Sequence, residues 1–515
     1  MTASVPSTPG NSTAAVIDDA ATGNSTPAGF TFGYWLLMTI EMMERLAYYT
    51  LRPIAAIFIM QASEPGGLKM TALHNGTIYF WWAIIQAILP IVTGGFADRY
   101  GYKRLMIISM LLNVAGYGYM AMEHSYQGFF IGVIFLACGT SFFKPSIQGA
   151  MAQSLSKSNS SLGWGIFYAV VNIGAYFGHI LSPVVLGTNH TEEAYRNLFL
   201  FCAGFCVLNI FLVFTFRDVA SGASKTDSPF KVLWSTIINI FEPRLLSWLI
   251  IMSCFWMMMY QLWDLAPNFI EDWVDSSGIA AMSPIKTWQE TGPDGTLRVP
   301  QQVLLSLNSL MIIFFVAPVS HIVRRLRTLS AMMFGMMVVT AGVLLAGMTQ
   351  SGWMLLAGIC FFSLGEMLTG PKKSEYLALI APKEKKGLYL GYVMIPTGIG
   401  QGVGNWLSGM IYARHGEKAI LSLKYLLNET PFGQGKTWDG DIHTLETAVG
   451  VSRPEAYEKL QQVLGKTGPE TTSILWDFYH PEYWSWLPFA TVGFLATIAL
   501  YVFGRMAKKW SDMNA

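Results

Sequence analysis

Apolar stretches close to twenty residues long recur from one end of this chain to the other, separated by short polar loops. Water does not reach the centre of a bilayer, so backbone there must satisfy its own hydrogen bonds, and runs of this length read as spanning helices. Roughly twelve runs meet that criterion. They begin near residues 33, 74, 103, 127, 162 and 196, and again near 246, 301, 329, 353, 387 and 483. Six spans, the polar stretch "RDVASGASKTDSPFK" and six more predict two pseudo-equivalent bundles with a central site between them. The expected fold is an all-α integral membrane protein: a tail over 1–30, a six-helix bundle over 31–216, a linker over 217–243, a second bundle over 244–507 and a tail over 508–515. With 52% hydrophobic and only 13% charged residues, a soluble enzyme is excluded.

The formal net charge is +1, so the placement of charge is more informative than its sum. Lys and Arg concentrate in alternate loops, "DRYGYKR", "FRDVASGASK", "VRRLRT", "PKEKKG" and "GRMAKKW", whereas "EHSYQG" and "MTQSG" carry almost none. The positive-inside rule then puts both termini in the cytoplasm. The first thirty residues lack the basic start of a signal peptide and read as a disordered tail, which suits a bacterial inner membrane. The five cysteines all lie in apolar runs and read as buried small side chains, with no disulfide and no metal site. Two outer segments exceed short-loop length, at about 271–299 and 413–483. In the second, "SRPEAYEKLQQVLG" places Ser452 three residues before Glu455, a capping-box pattern that predicts a short amphipathic helix.

The first span holds "TIEMMERLAYYTLRP", Thr39 to Pro53. At about 100° per residue, Glu41, Arg45, Tyr48 and Arg52 share one stripe, with Glu44 beside it and Tyr49 on its flank. Each charge at mid-membrane costs roughly 2.5–3.5 kcal/mol on insertion scales, so these groups are expected to face one another or a polar cavity. Similar anomalies recur elsewhere. Lys144 lies one turn from Gln148 in the fourth span, and Asn172 one turn from Tyr168 in the fifth; Asn308 and Glu366 interrupt the eighth and tenth. Both halves contribute, as a shared cavity requires. The extra cations belong to the first half and Glu366 to the second, so a zwitterion could lie between them, carboxylate toward the first half and ammonium toward the second.

In its motifs the chain resembles the proton-dependent oligopeptide transporters of the major facilitator superfamily. Glu41-x-x-Glu44-Arg45 with Tyr48-Tyr49 is similar to that family's ExxER…YY signature. "GGFADRYGYKR" resembles the superfamily's cytoplasmic loop motif, with Asp98, Arg99, Gly101 and Arg104 in place, and "FYAVVNIG" resembles FYxxINxG. "KPSIQ", "FWMMMYQ", "SLNSL" and "GEMLTGPKKSEYLALIAP" follow in the family's order, so the likeness runs from about residue 33 to 410 and over the last span. It implies a major-facilitator-type fold with about twelve helices in two pseudo-symmetric bundles. It also implies that Arg45, Arg52 and Lys144 handle a peptide carboxylate, that Asn172, Asn308 and Glu366 take the amino group, and that Glu41, Glu44, Arg45 and Glu366 couple protons. Tyr48, Tyr49, Tyr168, Gln148, Trp256, Tyr260 and Gln261 would line the pocket.

Departures qualify that reading. Family members carry a seventh-span glutamate, paired with the fourth-span lysine, where this chain has Tyr260 before Gln261. Ile88 stands for a second-span tyrosine, and Lys372-Lys373 for a glycine-containing piece. Asp264, one turn beyond Tyr260, is a candidate for the missing acid in proton coupling, and His179, seven residues after Asn172, a candidate proton sensor beside its reading as a packing histidine. "GIGQGVG" near 400 looks like a dinucleotide loop but follows no strand, so close helix packing is expected. The resulting expectation is a symporter that imports di- and tripeptides with protons by alternating access, working as a monomer, with no cofactor, no nucleic-acid partner and no enzymatic activity. A carrier of anions, amino acids or other small organic substrates, and a non-transporting receptor or scaffold, are the alternatives.

Overall fold

The computed structural model describes residues 29–156, 159–219, 238, 240–292, 295–323, 326–380 and 392–507. The tail up to residue 28, most of 217–243, the loop "PKEKKG", the expected start of a span near 387 and the tail 508–515 lie outside the described residues.

Each apolar run within them forms a helix that starts within a turn of the position expected from sequence. The first half comprises α1 (Phe32–Met60), α2 (Ala72–Tyr100), α3 (Tyr102–Met122), α4 (Tyr126–Gln153), α5 (Ser160–Leu186) and α6 (Glu192–Thr215). The second begins with α7 (Pro243–Met259), which continues after a turn at Tyr260 as α8 (Gln261–Asp264), α9 (Ala266–Trp273) and α10 (Ser277–Met282). A hairpin of β1 (Glu290–Thr291) and β2 (Leu297–Arg298) follows, then α11 (Gln301–Val323), α12 (Thr328–Gly347), α13 (Gly352–Ile380) and α14 (Met394–His415). A cap of α15 (Lys418–Asn428), α16 (Ile442–Val449), α17 (Ala456–Leu464) and α18 (Gly468–Tyr479) precedes the final α19 (Pro481–Ala507). Ten of the described helices are long and apolar enough to cross a membrane. Two more, α1 with 29 residues and α14 with 22, are of spanning length but carry the charged stripe and the glycine-rich "GIGQGVG", and they complete the two bundles. This is an integral membrane protein with many spans.

Local chemistry sets the ends and bends. Thr191 caps α6 by accepting from the Ala194 amide at 3.3 Å, with Glu192 and Glu193 in the first turn, where the helix dipole favours acids. Pro53, Pro90 and Pro145 interrupt α1, α2 and α4 where those helices line the central cavity. The helix expected after Ser452 forms as α17, but its capping box does not. Ser452 contributes only its backbone carbonyl, to the Glu455 amide at 3.1 Å, because the Arg453 amide is drawn to the Glu446 carboxylate at 2.8 Å and a 3₁₀ turn intervenes. The box that does form is Thr467 with Glu470, opening α18.

Small residues control how closely the helices approach. A Cβ on Gly174 would lie 2.6 Å from the Met42 carbonyl, and one on Gly178 2.7 Å from that of Leu46, so these glycines let α5 lie directly on α1. The halves meet along α2 with α14 and α5 with α11, the second and fifth spans of each exchanging places as a pseudo-two-fold demands. On the first seam Gly76 faces Gly409, and a Cβ on Gly398 would overlap the Ala87 side chain. The "GIGQGVG" stretch therefore packs helices.

Polar contacts between the halves gather at the end carrying the cap. Gln61 donates to Asp272 at 3.1 Å, Asn268 to the Ala56 carbonyl at 3.3 Å and Gln301 to the Pro53 carbonyl at 3.1 Å. From the cap, the Arg453 Nη2 donates to the carbonyls of Met60 and Met70, each at 2.7 Å.

Candidate functional site

Between the halves lies a cavity of about 590 Å³, within the range of small-molecule sites. The α1 stripe forms one wall. Arg45 sits between two carboxylates, with Nε 3.6 Å from Glu41 Oε1 and a closer contact to Glu44. All three side chains are buried, and Glu41 Oε2 has no hydrogen-bond partner among the described residues. One turn further, the Tyr48 hydroxyl donates to Gln86 at 3.3 Å, and Tyr49 packs its edge against Tyr48.

Arg52 crosses to the other half. Its Nη2 donates to Asp264 Oδ1 at 2.6 Å, while Gln401 holds the second carboxylate oxygen at 2.9 Å. The guanidinium lies over the rings of Tyr79 and Trp82, 4.2 and 4.3 Å from their centroids, and the Tyr79 hydroxyl donates to the Arg52 carbonyl at 2.7 Å. Asp264, the candidate for the missing seventh-span acid, is thus paired with Arg52 and not with Lys144, which makes no hydrogen bond or ion pair with a described residue.

Lys144 and Gln148 line the cavity from α4, and Asn172 from α5, where its amide donates back to the Tyr168 carbonyl at 2.9 Å. Opposite them, Asn308 on α11 donates to Glu366 on α13 at 2.9 Å and to Ser363 at 3.1 Å, which fixes the carboxylate's orientation. Trp256 and Tyr260 complete that wall, their rings tilted against each other with centroids 5.7 Å apart. Gln261, fully buried, turns away toward α14, donating to the Met257 carbonyl at 2.8 Å beside Gly404. His179 lines the cavity with its ring against Tyr49 and nearly parallel to Trp263, and neither ring nitrogen has a partner among the described residues. At the far end of α2, Gly101 adopts φ +96° at the α2–α3 corner, which only glycine takes without strain. There Lys103 ties the corner to the end of α6 through the Phe214 and Phe216 carbonyls, each at 2.7 Å, and Arg99 and Arg104 are exposed.

The cavity also enlists Gln86, Trp263 and Gln401, which sequence reasoning did not single out. A lone glutamine in "FWWAIIQAILP" was a usable signal of the same kind as Asn308. Gln401 lay inside "GIGQGVG", whose glycines dominated its reading, and Trp263 had no distinguishing pattern.

Comparison with known proteins places this geometry among membrane carriers. The family model described as Major Facilitator Superfamily matches residues 37–371 and 269–423. Multidrug resistance protein MdtH from Klebsiella pneumoniae is 21% identical over 385 residues, covering 74% of this chain and 87% of that protein. MdtH from Edwardsiella ictaluri is 23% identical over 385 residues, covering 74% and 86%. Among solved structures, the peptide transporter POT in complex with sulfate superposes with a TM-score of 0.61 at 16% identity, covering 93% of this chain and 94% of that one. The nucleoside transporter NupG gives 0.63 at 11% identity, covering 92% and 99%.

Proposed function

The chain belongs to the Major Facilitator Superfamily and is a secondary transporter, and from that premise we propose that it is a proton-coupled symporter of di- and tripeptides. The observation that carries this reading is one cavity lined by Arg45 and Lys144 from the first half and by Glu366, oriented by Asn308, from the second. A peptide's carboxylate and ammonium match that division of charge, and its ends would bridge halves that must move together.

Arg45 is the coupling point. With both glutamates ionised it is held by two carboxylates and has little left to offer a ligand. A proton on Glu41, whose Oε2 is buried without a partner, removes one of them and turns the guanidinium toward the cavity. Peptide binding then bridges Arg45 and Glu366 and draws the halves together at the end away from the cap, while Arg52–Asp264 and the cap contacts release at the other. The membrane potential supplies about 2.3 kcal/mol per charge per 100 mV. At about 1.4 kcal/mol per tenfold, this supports about fifty-fold accumulation of a neutral zwitterion with one proton. The bacterial origin of the MdtH relatives supports placement in a bacterial inner membrane; cytoplasmic termini, from the loop charges, and action as a monomer belong to the same proposal.

The test is uptake of labelled Ala-Ala into proteoliposomes with pH gradient and potential imposed separately. Accumulation under either gradient, abolished in Glu366→Gln, is expected. No uptake of di- or tripeptides under both gradients overturns the reading in favour of a carrier of other small organic molecules.

A further inference from the structure

Within that peptide reading, on which this step rests, we propose that the carrier prefers peptides with an acidic second residue and that Lys373 receives the side-chain carboxylate. Of the two adjacent lysines on α13, Lys372 is engaged: its Nζ lies 2.8 Å from Glu375. Lys373 is not. Its Nζ lies 4.0 Å from the centroid of Trp256, a cavity-lining ring, and it makes no hydrogen bond or ion pair with a described residue. The charges it feels are Glu366 and Lys144, the two ends of the cavity's polarity.

The charge balance shows what is missing. Arg45 is matched by Glu41 and Glu44, and Arg52 by Asp264. Lys144 shares Glu41 and Glu44 with Arg45, and Lys373 is set against Glu366. With every group ionised the set sums to zero, four cations against four acids; once an acid carries the coupling proton, it sums to one positive charge. A zwitterionic peptide leaves that charge uncompensated in a buried site, which is costly. A peptide bearing one more carboxylate cancels it.

Spacing identifies where that carboxylate belongs. Glu366 and Lys373 are seven residues apart on one helix, so they share a face about 10 Å apart along its axis. An extended dipeptide spans about 7 Å of backbone, and a glutamate side chain on its second residue covers the rest. With the ammonium at Glu366, the α-carboxylate turns to Lys144 and Arg45 and the side-chain carboxylate reaches Lys373.

The experiment compares kcat/KM for labelled Ala-Glu, Ala-Ala and Ala-Lys in the same proteoliposomes, for the wild-type protein, Lys373→Gln and Lys373→Glu. The wild type should favour Ala-Glu over Ala-Lys by tenfold or more. The ratio should collapse toward unity in Lys373→Gln and invert in Lys373→Glu, mainly through KM. Equal handling of the three peptides by the wild type, or an undiminished ratio in Lys373→Gln, overturns the proposal while leaving peptide transport standing. Uptake of none of them, with dicarboxylates competing instead, overturns the peptide reading itself. Equal wild-type handling overturns the preference even if one variant does not fold, and either Lys373 variant alone tests the assignment to that lysine.

Discussion

Replacing Arg453 by Leu should loosen the cap from the first half, and by an amount that depends on pH. Arg453 is buried in the 3₁₀ turn before α17 and closes over the end of α1. Met60 is the last residue of that helix, so its carbonyl is one that helix geometry leaves without a partner. The guanidinium supplies the missing donor, serves Met70 as well, and lies 2.6 Å from Glu417. Without it one buried and one part-buried carbonyl lose a charged donor and Glu417 loses its counter-charge. Breaking a buried pair of this kind costs about 3–5 kcal/mol.

The pH dependence follows from Glu417, which lies outside the spanning helices. Burial pushes its carboxyl up to about 7, against the pull of Arg453 and with Asp272 and Glu446 adding repulsion. A carboxyl raised in the folded state contributes stability that is present below its unfolded value and lost as pH rises through the folded one. In acid Glu417 is neutral, so the variant loses only its carbonyl donors, at about 1–3 kcal/mol each when left unsatisfied. Above neutrality the unpaired carboxylate adds its penalty, growing by about 1.4 kcal/mol per pH unit. Thermal unfolding of the detergent-solubilised protein at about pH 5.5 and about pH 8.5 should therefore show a larger deficit in base, recovered in part by adding Glu417→Gln. Equal deficits at both pH values, or no recovery in the double variant, would refute the reasoning.

Other perturbations probe the remaining contacts. Asp264→Asn removes the charge opposite Arg52 and should weaken gradient-driven uptake while sparing counterflow exchange; unchanged driven uptake contradicts a coupling role for the pair. Gly409→Leu puts a side chain where a Cβ already falls 2.7 Å from the Ala72 carbonyl, so it should wedge α2 from α14 and lower the unfolding midpoint; a silent substitution there argues against a tight seam. His190, between α5 and α6, is raised above its ordinary value: the Glu64 carboxylate at 2.9 Å, Glu290 and Glu271 outweigh burial. Its contribution is present in acid and fades as pH rises through the raised value, so the wild-type midpoint should fall on going alkaline and His190→Gln should flatten that slope.

The spans and the α1 stripe were legible because their physics is local: a twenty-residue apolar run has few other uses, and a charge within one demands a reason. Partnership was not. Arg52 and Asp264 are 212 positions apart, and no periodicity says that a carboxylate one turn past Tyr260 meets α1 and leaves Lys144 alone. Lys373 was hidden for a related reason. It lies near the end of its helix, where a lysine ordinarily snorkels to the interface, and only the position of Trp256 shows that it turns inward. Ser452 failed in the opposite way: its local pattern fits a capping box, and a tertiary contact from Glu446 overrides it.

The position of Arg453 also changes how the outer segment must be tested. If the cap were a docking surface on a non-transporting scaffold, deleting Glu417 to Glu482 would abolish partner binding and reveal nothing about the cavity. In this structure the same deletion also strips the donor from the carbonyl that ends α1 and from that of Met70, and removes Lys418, whose amide reaches Asp272 at 3.4 Å beside the Gln61 and Tyr412 contacts. Loss of transport in the deletion would therefore follow from an unfastened end of α1 as readily as from loss of a partner. Point substitution separates them, because Arg453→Leu leaves the outer faces of α15 to α18 in place. Transport that fails in Arg453→Leu at alkaline pH and recovers in acid assigns the cap to the moving parts of the carrier. Transport indifferent to Arg453 returns it to a peripheral role.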